Sequence, residues 1–264
     1  MLKFPLLRPA RVVLAVAGLL ATTLAAASSC PNHYVDGRAP EIVNSKMNTA
    51  TTELCYTVFG VMHSGVTRTP LWSAEHLTAD NIDAARTLSR ENSFHAEPRL
   101  PPAARAELSD YARSGYDRGH MAPNGNMPNR RAQQESFTLA NMVPQDGENN
   151  RHLWAGIEGA VRNMAKKEGD LYVVTGPAFI GANLQKVGRV LVPTHLYKLV
   201  YSPRQRAGGA YFVENKAGAP YEMLTVAQLE ARIGINLLPS LSARDKETML
   251  RLPNIRQRKE RNKP

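Results

Sequence analysis

Two short segments of this chain carry residue types that could act together on one substrate. Residues 116–120 read YDRGH and end in His120. A histidine side chain titrates near neutral pH, so it can serve as a general base. Further along, Asn150, Trp154 and Glu158 are separated by steps of four residues, which place side chains on one broad face of a helix. An amide oxygen and a carboxylate would thereby be directed at the same place.

The second segment suits a hard divalent cation. Asn150 offers one neutral oxygen, which fits Mg²⁺ because this ion keeps most of its waters and takes few protein ligands; Mn²⁺ could substitute. Glu158, two turns further on, would hold those waters by hydrogen bonds. Asn149 is the neighbouring candidate, but only Asn150 keeps the four-residue step to Trp154. An ordinary amphipathic helix capped by Asn150 is a second interpretation, and it is compatible with the first.

Together the two segments resemble the active site of the DNA/RNA non-specific endonucleases, metal-dependent phosphodiester hydrolases of the ββα-metal group. The Asp-Arg-Gly-His tetrapeptide and the Asn-x-x-x-Trp-x-x-x-Glu pattern carry the resemblance, and residues 173–177 (VVTGP) and 192–198 (VPTHLYK) extend it. It covers roughly residues 55–239. The resemblance implies an endonuclease that cleaves DNA and RNA to 5′-phosphate products, with His120 as general base and Mg²⁺ held by Asn150.

The resemblance also assigns further side chains to the reaction. Besides His120, the expected catalytic residues are Arg90, Arg118, Asn141, Glu158 and Arg162. Arg90 would contact the scissile phosphate, with Arg99 and Arg113 as competing candidates. Asn141 would help to position the base or the phosphate. Arg118 is expected either to contact the substrate or to pair structurally with a carboxylate.

The N-terminus has the composition of a secretory signal peptide. Three basic residues accompany an apolar run at residues 12–24, and alanines at 25–27 suit a cleavage site. The run is too short to span a bilayer, and no other stretch is apolar for long enough. Residues 1–27 are therefore predicted to be a signal peptide, and the protein is expected to be secreted or periplasmic.

Two cysteines follow the predicted cleavage site. Cys30 and Cys55 are expected to form a disulfide, because an exported protein meets an oxidising environment. The alternative is a lipid on Cys30, but the preceding residues make a poor lipobox because Leu is absent three positions before the cysteine.

The net charge of +10 is typical of a nucleic-acid-binding protein, but its distribution is uneven. Residues 1–27 carry +3 and residues 251–264 carry +5, so about +2 remains for residues 28–250. The chain is therefore divided into a signal peptide, a nuclease domain at 28–250 and a basic C-terminal tail at 251–264. The charge supports a basic tail more than a basic binding face.

Strand patterns separated by turns, with few helices, predict an α+β fold with a largely antiparallel central sheet flanked by helices. The resemblance implies the ββα-metal nuclease version of this fold. Strands are predicted at residues 53–62, 71–75, 136–140, 171–174, 191–201 and 209–214. Helices are predicted at 78–88, 103–111, 150–166, 225–233 and 244–251. Residues 115–129 should form a strand and then a loop, with His120 near the strand end and facing the 150–166 helix.

Two other functions compete with the nuclease. A non-catalytic nucleic-acid binding or uptake protein could use the same fold, but binding needs only cations and stacking. The presence of His120, Asn150 and Glu158 together argues against it. A phosphodiesterase or phosphatase acting on small or lipid-linked phosphates is the other alternative.

Overall fold

A computed structural model describes residues 28–255 of the chain. The predicted signal peptide at 1–27 lies outside this range, as does most of the predicted basic tail. Among the described residues, no helix has the length and apolar character needed to cross a membrane.

Runs of strands along the chain are interrupted by short helices. The strands are β1 Glu41–Ile42, β2 Thr51–Cys55, β3 Phe59–Ser64, β4 Thr69–Thr78, β5 Asp117–His120, β6 Met142–Gln145, β7 Asp170–Ala178, β8 Lys186–Val187, β9 Val190–Leu191, β10 His195–Ser202, β11 Ala207–Glu214, β12 Tyr221–Leu224 and β13 Ile235–Asn236. The α-helices are α1 Ala79–Arg86, α2 Leu108–Tyr111, α3 Arg130–Ser136, α4 Ala155–Glu168, α5 Val226–Ile233 and α6 Ala243–Glu247. A π-helix, Asn149–Trp154, leads directly into α4.

Seven strands form the central sheet, in the order β12-β11-β10-β7-β4-β3-β2. Each neighbouring pair in it is antiparallel. A separate antiparallel pair, β5 and β6, stands apart from this sheet. The predicted α+β class with a largely antiparallel central sheet is confirmed.

The two faces of the sheet support different helices because side chains alternate along each strand. On β10, Leu196 and Val200 pack in the cluster that contains the buried face of α4. Tyr197 and Leu199 point the other way, into the cluster that contains Leu229 of α5. Helix α4 and the β5–β6 pair therefore lie on the same face of the sheet.

Several local predictions were wrong. Residues 53–62 form two strands, β2 and β3, joined by a turn, rather than one. The predicted strand at 136–140 is the end of α3 followed by the 3₁₀ turn Leu139–Asn141, and the strand begins only at Met142. An alternating apolar pattern this short also fits a buried helix end. The helix predicted at 103–111 is reduced to α2, and the one predicted at 244–251 to α6.

The predicted disulfide is confirmed, because Cys30 and Cys55 are bonded to each other. The bond ties the start of the described chain to the end of β2, and it leaves no sulfur of Cys30 for a lipid. The bridged residues are 25 positions apart.

Replacing both cysteines with alanine is expected to lower the free energy of unfolding by roughly 3–4 kcal/mol, the loop-entropy value for a closed loop of this length. Urea unfolding of the oxidised, reduced and double-variant proteins measures this. The reduced wild type should resemble the variant. Equal unfolding midpoints for all three would show that the bond contributes nothing to stability.

Candidate active site

A cleft of about 890 Å³ opens between β5, the start of α4 and the segment around Arg90. Six of the seven predicted site residues line it: Arg90, Arg118, His120, Asn150, Glu158 and Arg162. Five arginines and two carboxylates, Asp117 and Glu158, face the cleft. Residues 28–250 carry a net charge of only about +2, but the arginines concentrate positive charge at the cleft, where it would attract a polyanion.

His120 is the last residue of β5 and pairs with Met142 of β6. The preceding Gly119 has no room for a side chain, because a Cβ there would collide with Oε1 of Gln145. Gln145 fills this space, and its Nε2 donates to Oδ1 of Asn149 at 3.0 Å.

The imidazole of His120 lies in a mostly apolar pocket. Its ring centroid is 5.0 Å from that of Phe137 and 5.8 Å from that of Phe94. Burial, together with the positive charges of Arg90 and Arg118, lowers the pKa of His120 to about 3. Nε2 of the ring is buried and has no hydrogen-bond partner within residues 28–255. At neutral pH the ring is therefore uncharged, which is the form that a general base requires.

Asn150 is oriented by a carboxylate that was not selected from the sequence. Its Nδ2 donates to Oδ2 of Asp117 at 2.9 Å, while Nη2 of Arg151 donates to the other oxygen of Asp117 at 2.5 Å. Because a carboxylate can only accept, the amide nitrogen must face Asp117. The amide oxygen of Asn150 is thereby left for another partner. The signal for Asp117 was its position in the same tetrapeptide as His120.

Asn149 has a different role from its neighbour. It is buried, its Nδ2 donates to the carbonyl of Glu214 at 3.2 Å, and its Oδ1 is bound by Gln145. Both asparagines belong to the π-helix, and because successive side chains of a helix point in different directions, Asn149 faces the interior and Asn150 faces the cleft. π-Helical turns occur often at functional sites.

Glu158 and Arg162 project from α4 into the same cleft. Their side chains approach to 4.0 Å, from Nη1 to Oε2. Burial raises the pKa of Glu158, and the positive charges of Lys198, Arg162 and Arg90 act against this. Arg162 also donates to Oδ1 of Asn126 at 3.4 Å. The carboxylate thus lies among cations at the inner end of the cleft.

Asn141 does not line the cleft but holds the segment that follows His120. It is fully buried, its Oδ1 accepts from the backbone nitrogen of Ala122 at 2.9 Å and from Oγ of Ser73 at 2.8 Å, and its Nδ2 donates to the carbonyl of Ala122 at 2.8 Å. These bonds use both ends of the amide. Of the two roles expected for Asn141, they match positioning of the base rather than contact with a phosphate.

The central sheet holds the same segment at two further points. Nζ of Lys198 donates to Oγ1 of Thr175 at 2.6 Å and to the carbonyl of Met121 at 3.4 Å. Asn126 donates to Oε1 of Glu75 at 2.9 Å. Lys198 and Glu75 are each only 1% exposed, and a buried charge of this kind is costly unless it is compensated. Neither residue was selected as a site residue from the sequence, although Lys198 ends the 192–198 segment of the family resemblance.

The protonation of Glu75 makes stability depend on pH. Burial raises the pKa of Glu75 to about 7, above its ordinary 4.5, although Lys198 opposes this. Between these two pKa values the Glu75 carboxyl is protonated in the folded state but ionised in the unfolded state. The free energy of unfolding therefore falls as the pH rises from about 4.5 to 7. Because Gln does not titrate, the free energy of unfolding of Glu75→Gln minus that of wild type should increase by about 3 kcal/mol as the pH rises through this interval.

Urea unfolding at pH 5 and pH 8 tests this expectation, with Glu97→Gln as the matched control. Burial works against ionisation of Glu97, but hydrogen bonds from Arg99 and Tyr56 outweigh it and lower its pKa to about 2. Its protonation window therefore lies below pH 5, and the difference between this control and wild type should be the same at both pH values. An equally constant difference for Glu75→Gln would contradict the prediction.

The candidate arginines differ in whether they line the cleft. Arg99 binds Glu97, at 2.7 Å between Nε and Oε1, and does not line the cleft. Arg90 and Arg113 do line it. The guanidinium of Arg118 lies 4.0 Å above the ring of Phe94. Within residues 28–255 it makes no salt bridge, so the structural pairing with a carboxylate is not found there.

Comparison with known proteins places this geometry in one family. A sequence profile of the DNA/RNA non-specific endonucleases matches residues 38–244. Nuclease C1 of Cunninghamella echinulata var. echinulata is 40% identical over 168 residues, covering 57% of this chain and 66% of the relative. The mitochondrial nuclease EXOG of Homo sapiens is 33% identical over 234 residues, covering 78% of this chain and 63% of the relative. The chain thus spans just under two thirds of the length of these curated relatives.

A solved structure supports the fold. The crystal structure of the EndoG/EndoGI complex contains a chain that superposes on this one with a TM-score of 0.65 at 26% identity. The match covers 79% of this chain and 94% of that one. The expected ββα-metal nuclease fold is therefore confirmed.

The expected secreted or periplasmic location is contradicted by the relatives. EXOG and the nucleases of Saccharomyces cerevisiae and Schizosaccharomyces pombe are named as mitochondrial proteins. The prediction was wrong because an N-terminal segment with basic residues and no acidic ones is also typical of mitochondrial presequences. The segment itself lies outside the described residues.

The profile match, the relatives and the superposed structure agree with the motifs and with the cleft in which they meet. This chain belongs to the DNA/RNA non-specific endonuclease family.

Proposed function

We propose that this protein is a Mg²⁺-dependent endonuclease that hydrolyses phosphodiester bonds of DNA and RNA. One observation carries the proposal: Asp117 fixes the amide of Asn150 so that its oxygen has no hydrogen-bond partner among residues 28–255, and this oxygen shares an arginine-rich cleft with the uncharged His120. A nucleic-acid binding protein needs the arginines alone. A base and a cation ligand in addition are what hydrolysis requires.

The residues present fit a hard divalent cation. Asp117 engages the Asn150 amide nitrogen, so the oxygen is the available ligand atom, and neutral oxygens suit Mg²⁺ or, as a substitute, Mn²⁺. Glu158 lines the same cleft and would accept hydrogen bonds from waters of the ion. A bound Mg²⁺ would supply a Lewis acid that stabilises negative charge on the phosphate and on the leaving oxygen.

The protein side chains would perform the remaining steps. His120 would accept a proton from the attacking water at a ring nitrogen, and its low pKa keeps that nitrogen free. Arg90, Arg118 and Arg162 line the cleft and would neutralise the charge that builds up on the phosphate oxygens in the transition state. Asn141 would fix the segment after His120 and so the position of the ring.

The bond that breaks and the range of substrates are proposed from family membership. Cleavage of the P–O3′ bond would leave 5′-phosphate ends on DNA and RNA alike. The basic residues of the 251–264 tail would add sequence-independent attraction to the phosphate backbone. The folded body continues into this tail, since Tyr211 donates to the carbonyl of Pro253 at 2.7 Å.

Incubation of the purified protein with supercoiled plasmid and with RNA tests the proposal. Mg²⁺ should convert the plasmid to nicked and then linear forms and degrade the RNA, EDTA should stop both reactions, and the DNA ends should be ready for ligation without kinase treatment. Retardation of intact plasmid without cleavage would favour the binding protein. Hydrolysis confined to small phosphate esters would favour the phosphatase.

A further inference from the structure

One wall of the cleft carries residues to which the proposed reaction gives no task. Helix α2 and the turn after it contribute Leu108, Tyr111, Arg113 and Tyr116 to the lining. Leu108 is 45% exposed. This wall joins β5 directly, so it lies beside the segment that ends in His120.

Tyr111 contributes a buried hydroxyl group to this wall. The residue is only 6% exposed, and its Oη makes no hydrogen bond to any described residue. Buried hydroxyls are nearly always bonded, because an unsatisfied one costs free energy. Burial and the negative charge of Asp110 raise the pKa of Tyr111, and the positive charge of Arg118 acts against this, so the hydroxyl stays protonated and can donate. An anion would satisfy both groups.

Arg113 adds a cation to the same wall. Its backbone has a φ of +55°, the left-handed region that non-glycine residues rarely adopt. A backbone outlier of this kind indicates a constraint that the surrounding structure imposes. The turn is closed by a hydrogen bond from the Ser114 nitrogen to the Tyr111 carbonyl at 3.3 Å. Within residues 28–255 the guanidinium of Arg113 has no ion pair or hydrogen bond, although it is exposed in the cleft.

The wall is held rigidly before any substrate arrives. Asp110, adjacent to Tyr111, accepts from the Arg189 backbone nitrogen at 3.0 Å and from Arg189 Nη2 at 3.0 Å. It also accepts from the nitrogen of Glu107 at 2.8 Å. A helix of four residues is thus fixed to the β8–β9 hairpin. Preorganised groups bind with less loss of conformational entropy than mobile ones.

We propose that Tyr111 and Arg113 form a subsite for a second phosphate of the bound strand, beside the phosphate that is cleaved. The subsite rests on the proposed nuclease function. A hydroxyl donor and a guanidinium are typical partners of backbone phosphate oxygens in protein–nucleic acid complexes. The exposed Leu108 would cover the apolar side of a neighbouring sugar or base. A strand that continues past the scissile bond would therefore be gripped on this wall.

Two substrates separate the subsite from the catalytic centre. An oligonucleotide of about twelve residues offers flanking phosphates, whereas bis(p-nitrophenyl) phosphate has one phosphodiester and none beside it. Arg113→Gln and Tyr111→Phe should each lower the ratio of kcat/KM for the oligonucleotide over that for the small ester by about five- to tenfold or more, mainly through KM. Tyr111→Phe removes a group with no internal partner among the described residues, so its unfolding midpoint should not fall.

Two controls complete the experiment. Arg244→Gln removes an exposed arginine on α6, outside the cleft, and should leave the ratio unchanged. His120→Ala should lower kcat/KM for the oligonucleotide and for the small ester by the same factor. An unchanged ratio in Arg113→Gln and Tyr111→Phe would overturn the subsite, as would an equal loss on both substrates, which would place these residues at the scissile phosphate. Wild-type protein that cleaves neither substrate would refute the nuclease function itself, and the subsite with it.

Discussion

Replacing His120 with alanine is expected to lower turnover by about 10²–10⁴-fold, the usual range for loss of a general base. Mg²⁺ binding and substrate affinity should persist, because the proposed metal ligand and the arginines of the cleft are untouched. Single-turnover cleavage of plasmid measures the rate, and gel retardation in EDTA measures the affinity. The effect should be confined to the chemical step.

His152→Ala is the matched control for this variant. His152 lies on the π-helix next to the cleft, but its Nε2 faces Glu148 at 3.2 Å and it is not among the lining residues. Its loss should change the rate little. A His120→Ala protein that cleaves at nearly the wild-type rate would show that the motif histidine is not the base.

Replacing Asn150 with alanine is expected to raise the Mg²⁺ concentration for half-maximal activity by roughly tenfold or more, in addition to lowering the rate. The reason is that its amide oxygen is the one direct protein ligand that we propose. Asp117→Asn should have a smaller effect of the same kind, because it keeps Asn150 but removes the charged acceptor that orients the amide. Activity measured against Mg²⁺ concentration gives both values.

If Asn150→Ala had an unchanged Mg²⁺ requirement, the metal ligand would have to be another residue of the cleft. Glu158 and Asp117 are then the carboxylates to test among the residues that line it. Asn149 is not a candidate, because the bonds to Gln145 and Glu214 occupy its amide.

Residues selected from the sequence by their type and local spacing lie together in one cleft. His120 and Asn150 were selected by residue type and by their motifs, and both line the cleft. The choice of Asn150 over Asn149 rested on a four-residue step in an α-helix. The residue chosen does line the cleft, although it belongs to a π-helix rather than to an α-helix.

The supporting residues could not be predicted in this way. Lys198 contacts Met121 across 77 positions and Asn126 contacts Glu75 across 51, so no local pattern connects either pair. The partner of Gly119 was also missed. The motif indicates that position 119 requires a small residue. Only the pairing of β5 with β6 shows that the side chain of Gln145 leaves no room for a larger residue at this position.

The most direct test of the proposed base and metal ligand is a Mg²⁺ titration of single-turnover plasmid cleavage in wild type, His120→Ala and Asn150→Ala. For His120→Ala we expect a maximal cleavage rate about 10²–10⁴-fold below that of wild type. Its Mg²⁺ midpoint should equal that of wild type. We expect Asn150→Ala to shift the midpoint to higher Mg²⁺ as well as losing rate. A shifted midpoint in His120→Ala, or superimposable titration curves for the two variants, would contradict the assignment of separate base and ligand roles.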